Sequence, residues 1–316
     1  MFFLDESVLS KKFKRLRLEL NENPIGEDLR GWNWSDKPVA PDHSDILLGV
    51  SELAGRYCET LRDIYIRRVR GIAPPPSYKM IRGLVFHDII ASCITEVKRI
   101  LFKKGIVNGS YVAESLLRKT DSIVKEKISR AYERIGELEI REDEKLKRES
   151  KALFKYLVIQ AASSIDKILS RFPHVDLDSL VNQAVPPIVE RKVDGSLIGL
   201  SKELSADMYN PPLAVLDIKT GDVRSFHPLA PTGYALAIEA SEDTPVNYGM
   251  IIYVRIRDPP LVPTITVREF IISNELRREF LDIRDEAADI VYHGHDPGKP
   301  PQCPRYCPYY SICHGG

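Results

Sequence analysis

Three cysteines stand within eleven consecutive residues near the end of the chain, in Cys303-Pro304-Arg305-Tyr306-Cys307-Pro308-Tyr309-Tyr310-Ser311-Ile312-Cys313. This stretch holds prolines and tyrosines but too few aliphatic side chains to bury a core of its own. A four-thiolate centre needs one more sulfur, so the end of the chain has to return to an earlier segment. The remaining cysteines are Cys58 and Cys93. The start, Met1-Phe2-Phe3-Leu4-Asp5, meets an acid before any signal-like apolar region forms. No apolar run approaches the roughly 18–20 residues that span a bilayer. A cytoplasmic location without membrane contact is therefore expected, and there thiols stay reduced and serve as metal ligands more often than as disulfides. Cys58, flanked by Arg56 and Glu59, is the preferred fourth ligand; Cys93, between Ile90 and Ile94, reads as a small buried hydrophobe. Structural zinc favours paired C-x₂₋₄-C units, and only Cys303 and Cys307 form one. Cysteine followed by proline suits iron–sulfur ligation, which is the favoured reading. Zinc, with help from His293, His295 or His314, is the alternative.

The rest of the chain changes character once. Residues 1–45 read as irregular, with Pro24, Pro38, Pro41 and the pair Trp32 and Trp34. Leu53, Tyr57, Leu61, Ile64 and Val69 recur at helical spacing, predicting a helix over Val50–Val69 capped by Ser51. Pro74-Pro75-Pro76 breaks it. Helices are expected over Ser77–Lys104, Tyr111–Arg134 and Leu138–Phe172, the charged stretch 141–151 being a solvated face. Strands follow at Val185–Val193 and Leu197–Tyr209, joined by a hairpin turn at Asp194-Gly195. A turn at Asn210-Pro211-Pro212 leads to a strand over Leu213–Lys219, which Gly221 stops. A helix is expected at Tyr234–Ala240, strands at Asn247–Ile256 and Thr264–Ile272, and a final helix at Glu275–Tyr292. The fold class is therefore α/β in the broad sense (α+β). Residues 1–76 form an N-terminal segment and a helix carrying the first cluster cysteine, 77–184 a helical region, 185–275 the core sheet, and 276–316 the last helix and cysteine cluster. All four belong to one compact domain.

Chemistry concentrates in Leu216-Asp217-Ile218-Lys219-Thr220-Gly221. On a strand, residues i and i+2 share a face, so Asp217 and Lys219 project together while Leu216 and Ile218 enter a core. A carboxylate that holds a divalent metal, beside an ammonium that orients water or stabilises developing charge, suits phosphodiester hydrolysis. The other Asp/Glu-x-Lys triplets, except that at Glu190, lie in helical segments where i and i+2 diverge. Asp207, near the end of the preceding strand, is a second carboxylate for the same Mg²⁺ or Mn²⁺, or else merely starts a turn. His87 is a third candidate ligand, or a satisfied core histidine. Glu190 is a further ligand or support, or an exposed strand residue beside Arg191 and Lys192. Lys plus Arg and Asp plus Glu number 45 each, so a nucleic-acid partner needs a local basic surface. Tyr78, Lys79, Arg82, Lys98, Arg99, Lys103 and Lys104 offer one, with an aromatic for stacking.

The order of these pieces is Cys58, then Arg82-Gly83-x-x-x-His87, Asp207, Asp217-x-Lys219, Tyr234 and three clustered cysteines. It resembles the CRISPR-associated RecB-like exonucleases, the fourth Cas family, in particular its archaeal Csa-type branch. The resemblance implies a PD-(D/E)xK restriction-endonuclease-like core with a large helical insertion and a C-terminal iron–sulfur clamp. It implies metal ligation by His87, Asp207 and Asp217, catalysis by Lys219, and supporting roles for Glu190 and Tyr234. It implies a [4Fe–4S] cluster on Cys58, Cys303, Cys307 and Cys313. The implied activity is exonucleolytic trimming of DNA, at single-stranded ends or overhangs, during CRISPR spacer acquisition. The implied partners are the CRISPR integrase and other adaptation proteins. Three positions depart from the family's habit: Ala230 stands where Gln precedes the helical Tyr by four residues, the first cysteine pair is C-x₃-C, and Glu59 follows Cys58 in place of Pro. A non-catalytic scaffold subunit of an adaptation complex and a zinc-clamped DNA-binding protein are the rival readings.

Overall fold

The computed structural model describes residues 6–136, 140–186, 188–210 and 214–315. Pro211 and Pro212 of the expected turn, Leu213 at the expected strand start and Leu138 at the expected helix start lie outside the described residues. Eight helices come first: α1 Glu6–Glu22, α2 Val50–Leu53, α3 Arg62–Arg68, α4 Tyr78–Lys104, α5 Gly109–Leu117, α6 Thr120–Ile135, α7 Ile140–Arg171 and α8 Leu177–Ala184. Then follow β1 Ile188–Val193, β2 Leu204–Asn210, β3 Ala214–Lys219, α9 Leu229–Glu242, β4 Tyr248–Arg257, β5 Val262–Ile271, α10 Asn274–His293 and α11 Tyr310–His314.

The five strands lie in sequence order in one sheet. Only β3 and β4 run parallel, as the helical crossover α9 between them requires. Apolar side chains cover both faces. Leu216 and Ile218 of β3 join the core built with α1 and α4–α8, whereas Val215 joins the core built with α9, α10 and the short helices. The result is a mixed α+β fold, with the sheet between two helical layers. Among the described residues no helix is long and apolar enough to cross a membrane.

The helix α4 sets the position of the site. Ser77 caps it, its Oγ accepting from Met80 N at 3.3 Å, and no proline or mid-helix glycine pair interrupts the next seven turns. Ile81, Val85, Ile89, Cys93 and Val97 are buried along one side, the stripe that a 3.6-residue period predicts. Gly105, at φ +79, ends it, a conformation that favours glycine.

Four expectations are corrected. Residues 1–45 are not wholly irregular, because α1 occupies Glu6–Glu22. Its apolar stripe is short, and its order comes from tertiary contacts: Phe13 packs on Tyr248 with ring centroids 4.8 Å apart, and Lys12 pairs with Glu269 at 2.9 Å. The expected helix over Val50–Val69 is two short helices. Arg56 and Leu61 adopt φ +44 and +55, left-handed values that a helix cannot pass through, so Cys58 lies on the link rather than on a helix. The expected helix over Tyr111–Arg134 breaks between Leu117 and Thr120. Finally, Asp194-Gly195 is not a two-residue hairpin. Gly195 has φ −98, not the positive value such a turn needs, and a longer loop there captures Leu48 through Leu48 N to Gly199 O (3.2 Å) and Ser201 N to Leu48 O (2.9 Å). The short helix α8, capped by Asp176, was likewise not anticipated.

Candidate active site and cysteine centre

The β2–β3 ladder stops at Met208↔Leu216. One residue further, the strands diverge. Ile218 N donates to Asp207 Oδ2 at 2.8 Å in place of a backbone carbonyl. On the other side of β2, Glu190 takes φ +50 between the pairs Val189↔Met208 and Arg191↔Ala206, a strained value for a non-glycine residue. His87 of α4 reaches into this gap, its Nδ1 3.0 Å from Asp207 Oδ1. Lys219 Nζ lies 2.9 Å from Asp217 Oδ2. Asp217 Oδ2 is buried, and this ion pair is what faces it. The structure thus brings His87, Asp207, Asp217 and Lys219 to one place. Their ligand atoms do not draw within 4.8 Å as a trio; among the described residues only His43, Asp289 and His293 do so.

Burial pushes Asp217 above its ordinary carboxylate range; Lys219 opposes this and Asp207 adds to it. For Asp207 burial acts in the same direction, but His87 and the Ile218 N–H outweigh it and hold the group low. The two carboxylates are therefore driven apart, as happens where acid–base or metal chemistry is arranged. Burial opposes the charge of His87 and Lys219, yet the neighbouring carboxylates hold both above their ordinary values. A divalent cation fits this set. Asp217 Oδ2 has the Lys219 ammonium on one side, and both carboxylates keep lone pairs for an ion. An ion shared with Asp207 would take the His87 Nδ1 that faces it, in place of that hydrogen bond. Tyr234, on α9, sits close enough for the fields of Asp207 and Asp217 to raise its phenol further above the range that burial sets. Glu190 is placed differently: it is exposed and lines a groove with Asp88, Lys127 and Arg130, between α4 and α6.

Arg82 corrects another expectation. Its Nε donates to the buried Glu149 at 2.6 Å and its Nη1 to Thr220 O at 3.0 Å. It therefore ties the end of β3 to α4 and is not available to a DNA backbone. Tyr78 is drawn to the same carboxylate at 3.1 Å.

The sequence reading missed His227 and Tyr253, which form the wall beyond Lys219. His227 Nδ1 is 3.1 Å from the Tyr253 hydroxyl and accepts from Arg224 N at 3.4 Å. Burial first, then Lys219 and Arg224, push its pKa down to about 4. It adds no charge beside Lys219 at neutral pH. The sign for stability follows: the unfolded chain takes up a proton near the ordinary 6.5 while the folded chain does not until about 4, so stability falls as pH drops through that window. A His227→Gln variant is expected to show a flatter loss of stability between pH 6.5 and 4, measured by denaturant unfolding; an unchanged slope refutes this.

The second centre lies where the link between α2 and α3 meets the C-terminal tail. Cys58, Cys303, Cys307 and Cys313 line a single cavity together with Asp63 and Tyr309. Cys93 is not there; it is fully buried within α4. No histidine lines the cavity: His314 stacks on Tyr310, and His293 sits with His43. Asp63 Oδ1 and the Tyr309 hydroxyl are buried there without hydrogen-bond partners, and burial pushes Asp63 up to about 6. Burial also pushes the Cys307 thiol up to about 11, which a metal at the sulfur reverses. No three of these sulfurs approach within 4.8 Å of one another. The link 54–61 is held down by Thr60 Oγ1 donating to Gly298 O at 2.7 Å and by the Arg62–Asp296 pair at 2.8 Å. Arg62 also reaches Cys313 Sγ at 3.4 Å. The two centres touch through aromatics: the Arg224 guanidinium lies 4.5 Å from the ring centre of Tyr306.

The sequence profile of the family described as CRISPR-associated exonuclease Csa1 matches residues 1–316. A CRISPR-associated exonuclease Csa1 from Saccharolobus solfataricus is 34% identical over 317 aligned positions, covering 99% of this chain and 100% of that one. A CRISPR-associated exonuclease Csa1 from Thermoproteus tenax is 27% identical over 307 positions, covering 96% and 97%.

Proposed function

The chain belongs to the CRISPR-associated exonuclease Csa1 family, and from that premise we propose that it is a metal-dependent DNA nuclease working at Asp207 and Asp217. The observation that carries this reading is the pair of desolvated carboxylates on diverging strands, with the Lys219 ammonium 2.9 Å from Asp217 Oδ2. Asp207, Asp217 and His87 would hold Mg²⁺ or Mn²⁺, which supplies a more acidic bound water and charge neutralisation at the phosphate. Lys219 offers a fixed positive charge where the phosphate gains negative charge, and Arg82 fixes the strand end that carries it. The strand order, the parallel β3–β4 pair and the D-x-K at the end of β3 support a PD-(D/E)xK-type, RecB-like core. The substrate is DNA with single-stranded ends or overhangs. The setting is spacer acquisition, beside the CRISPR integrase and other adaptation proteins.

The test is a cleavage assay with anaerobically purified protein on end-labelled single- and double-stranded DNA, with Mn²⁺, Mg²⁺ or EDTA. Cleavage with metal and none with EDTA is expected. Failure to cut under every metal and redox condition refutes the nuclease reading. It would leave a scaffold subunit, which one observation favours: the family's glutamine position is Ala230, buried in apolar surroundings.

The cysteine cavity is proposed to hold an iron–sulfur cluster, [4Fe–4S], on Cys58, Cys303, Cys307 and Cys313, with a structural role. Anaerobic protein is expected to contain iron and acid-labile sulfide. Cys58→Ala should lose both and lower the unfolding midpoint, because the centre then no longer joins the link to the tail. Cys93→Ala, which only trims a buried sulfur, should keep the cluster and cost about 1 kcal/mol. Equal iron content in Cys58→Ala and wild type rules out this ligand set.

A further inference from the structure

The His43, Asp289 and His293 group shares no residue with either centre described above. Asp289 and His293 stand one turn apart on the last turns of α10, and His43 comes from the segment before α2. One ligand atom from each lies within 4.8 Å of the others. Asp289 Oδ1 is 3.1 Å from His293 Nδ1 and 3.5 Å from His43 Nε2, so a single carboxylate oxygen faces two imidazole nitrogens. His293 Nδ1 also lies 3.1 Å from the Asp289 carbonyl.

The arrangement is held in place. The Tyr292 ring stacks on His43, with centroids 4.1 Å apart and planes at 18°, and meets His293 edge-on at 5.0 Å. The backbone just before His43 is anchored by Arg284, which is almost fully buried and donates to the carbonyls of Val39, Pro38 and Ala40 at 2.6, 3.3 and 3.3 Å. His43 is mostly covered, whereas Asp289 and His293 are more than half exposed, so an ion can enter from solvent without a change of fold.

We propose that His43, Asp289 and His293 form a site for one first-row divalent cation of the zinc class. Two imidazoles and one carboxylate are the donor set of such ions, with remaining positions open to water; Mg²⁺ and Ca²⁺ prefer all-oxygen surroundings. The bound ion staples the segment carrying His43 to the end of α10, the same region where the chain enters its cysteine-bearing tail.

The test is titration of Zn²⁺ and Co²⁺ into the tag-free, anaerobically purified full chain at pH 7.5, read by calorimetry, by Co²⁺ absorption and by thermal unfolding. Wild type is expected to bind one equivalent beyond the ion taken up by the nuclease centre, with a raised unfolding midpoint and without the intense sulfur-to-cobalt absorption that thiolate ligation gives. Asp217→Asn should retain that equivalent, which separates it from the nuclease centre. His43→Ala, His293→Ala and the gentler Asp289→Asn should each weaken binding at least tenfold. Their metal-free unfolding midpoints show which variants keep the fold, and any one that does suffices. Wild-type affinity in such a variant, thiolate-type cobalt absorption, or no binding at micromolar ion overturns the proposal.

Discussion

Asp217→Asn is expected to cut DNA about 10³-fold more slowly than wild type, the scale at which one electrostatic partner of a transition state is lost. The isosteric amide keeps the volume of a side chain that is 5% exposed and removes only its charge. Stability should move the other way. The folded state holds the Asp217 proton more tightly than the unfolded chain does, so at neutral pH the charged carboxylate weakens the fold, and the amide should raise the metal-free midpoint. Added Mn²⁺ should then stabilise wild type but not the variant. Lys219→Ala should also abolish cleavage while retaining the Mn²⁺ response, since an ammonium is no ligand. DNA binding should survive in both, because backbone contacts come from cations elsewhere. Wild-type cleavage by both variants removes this site from the chemistry.

The largest expected loss of stability lies away from any chemistry, at Glu239 on α9. Its carboxylate accepts from Arg277 Nη1 and Nη2 at 2.7 and 2.9 Å, from Arg30 Nη1 at 2.8 Å, and from Gly31 N and Val246 N at 2.9 and 3.0 Å. Arg277 in turn donates to the carbonyls of Ile272, Leu29 and Val246 at 3.1, 3.1 and 3.0 Å. Neither side chain has any exposure. Arg277→Ala takes two of five donors from a buried anion, which keeps Arg30, Gly31 N and Val246 N, and removes the guanidinium from three carbonyls; this costs roughly 3 kcal/mol and on the order of 10 °C in unfolding midpoint. The pair Glu239→Leu with Arg277→Met should cost less than the sum of the single changes, because each single change strands a charge that the double change removes. A loss below about 1 kcal/mol for Arg277→Ala contradicts this account.

Much of the site was legible because it obeys a two-residue period. The alternation Leu216, Asp217, Ile218, Lys219 places polar groups on one face and apolar groups on the other, and β3 forms as read. The extent of α4, expected over Ser77–Lys104, was equally plain. Other features turn on contacts distant in sequence. The ladder break at Asp207 depends on His87 entering from a helix 120 residues earlier, and no local pattern encodes it. Arg82 looks like a surface cation until Glu149 and Thr220 are brought beside it. Leu61 sits on an apolar helical period, yet its left-handed backbone keeps α3 from extending back and leaves Cys58 on the link. His227 and Glu239 carry no motif at all. A histidine after Phe226 and a glutamate on an alanine-rich helix gain meaning only from Tyr253, Arg224, Arg277 and Arg30.

The contact between Arg224 and Tyr306 has a consequence for how the sequence can drift. Tyr306 lies between two cysteines of the tail, and Arg224 opens the loop that carries His227 behind Lys219. That contact joins the loop behind Lys219 to the tail between Cys303 and Cys307. A loop insertion after Lys219, ordinarily among the best-tolerated of mutations, would here displace a cysteine segment. A changed cysteine spacing would press on the cutting site. Variation in the two stretches, 220–228 and 303–307, is expected to be inherited as matched pairs. Chimaeras that exchange one stretch without the other should fail more often than those that exchange both.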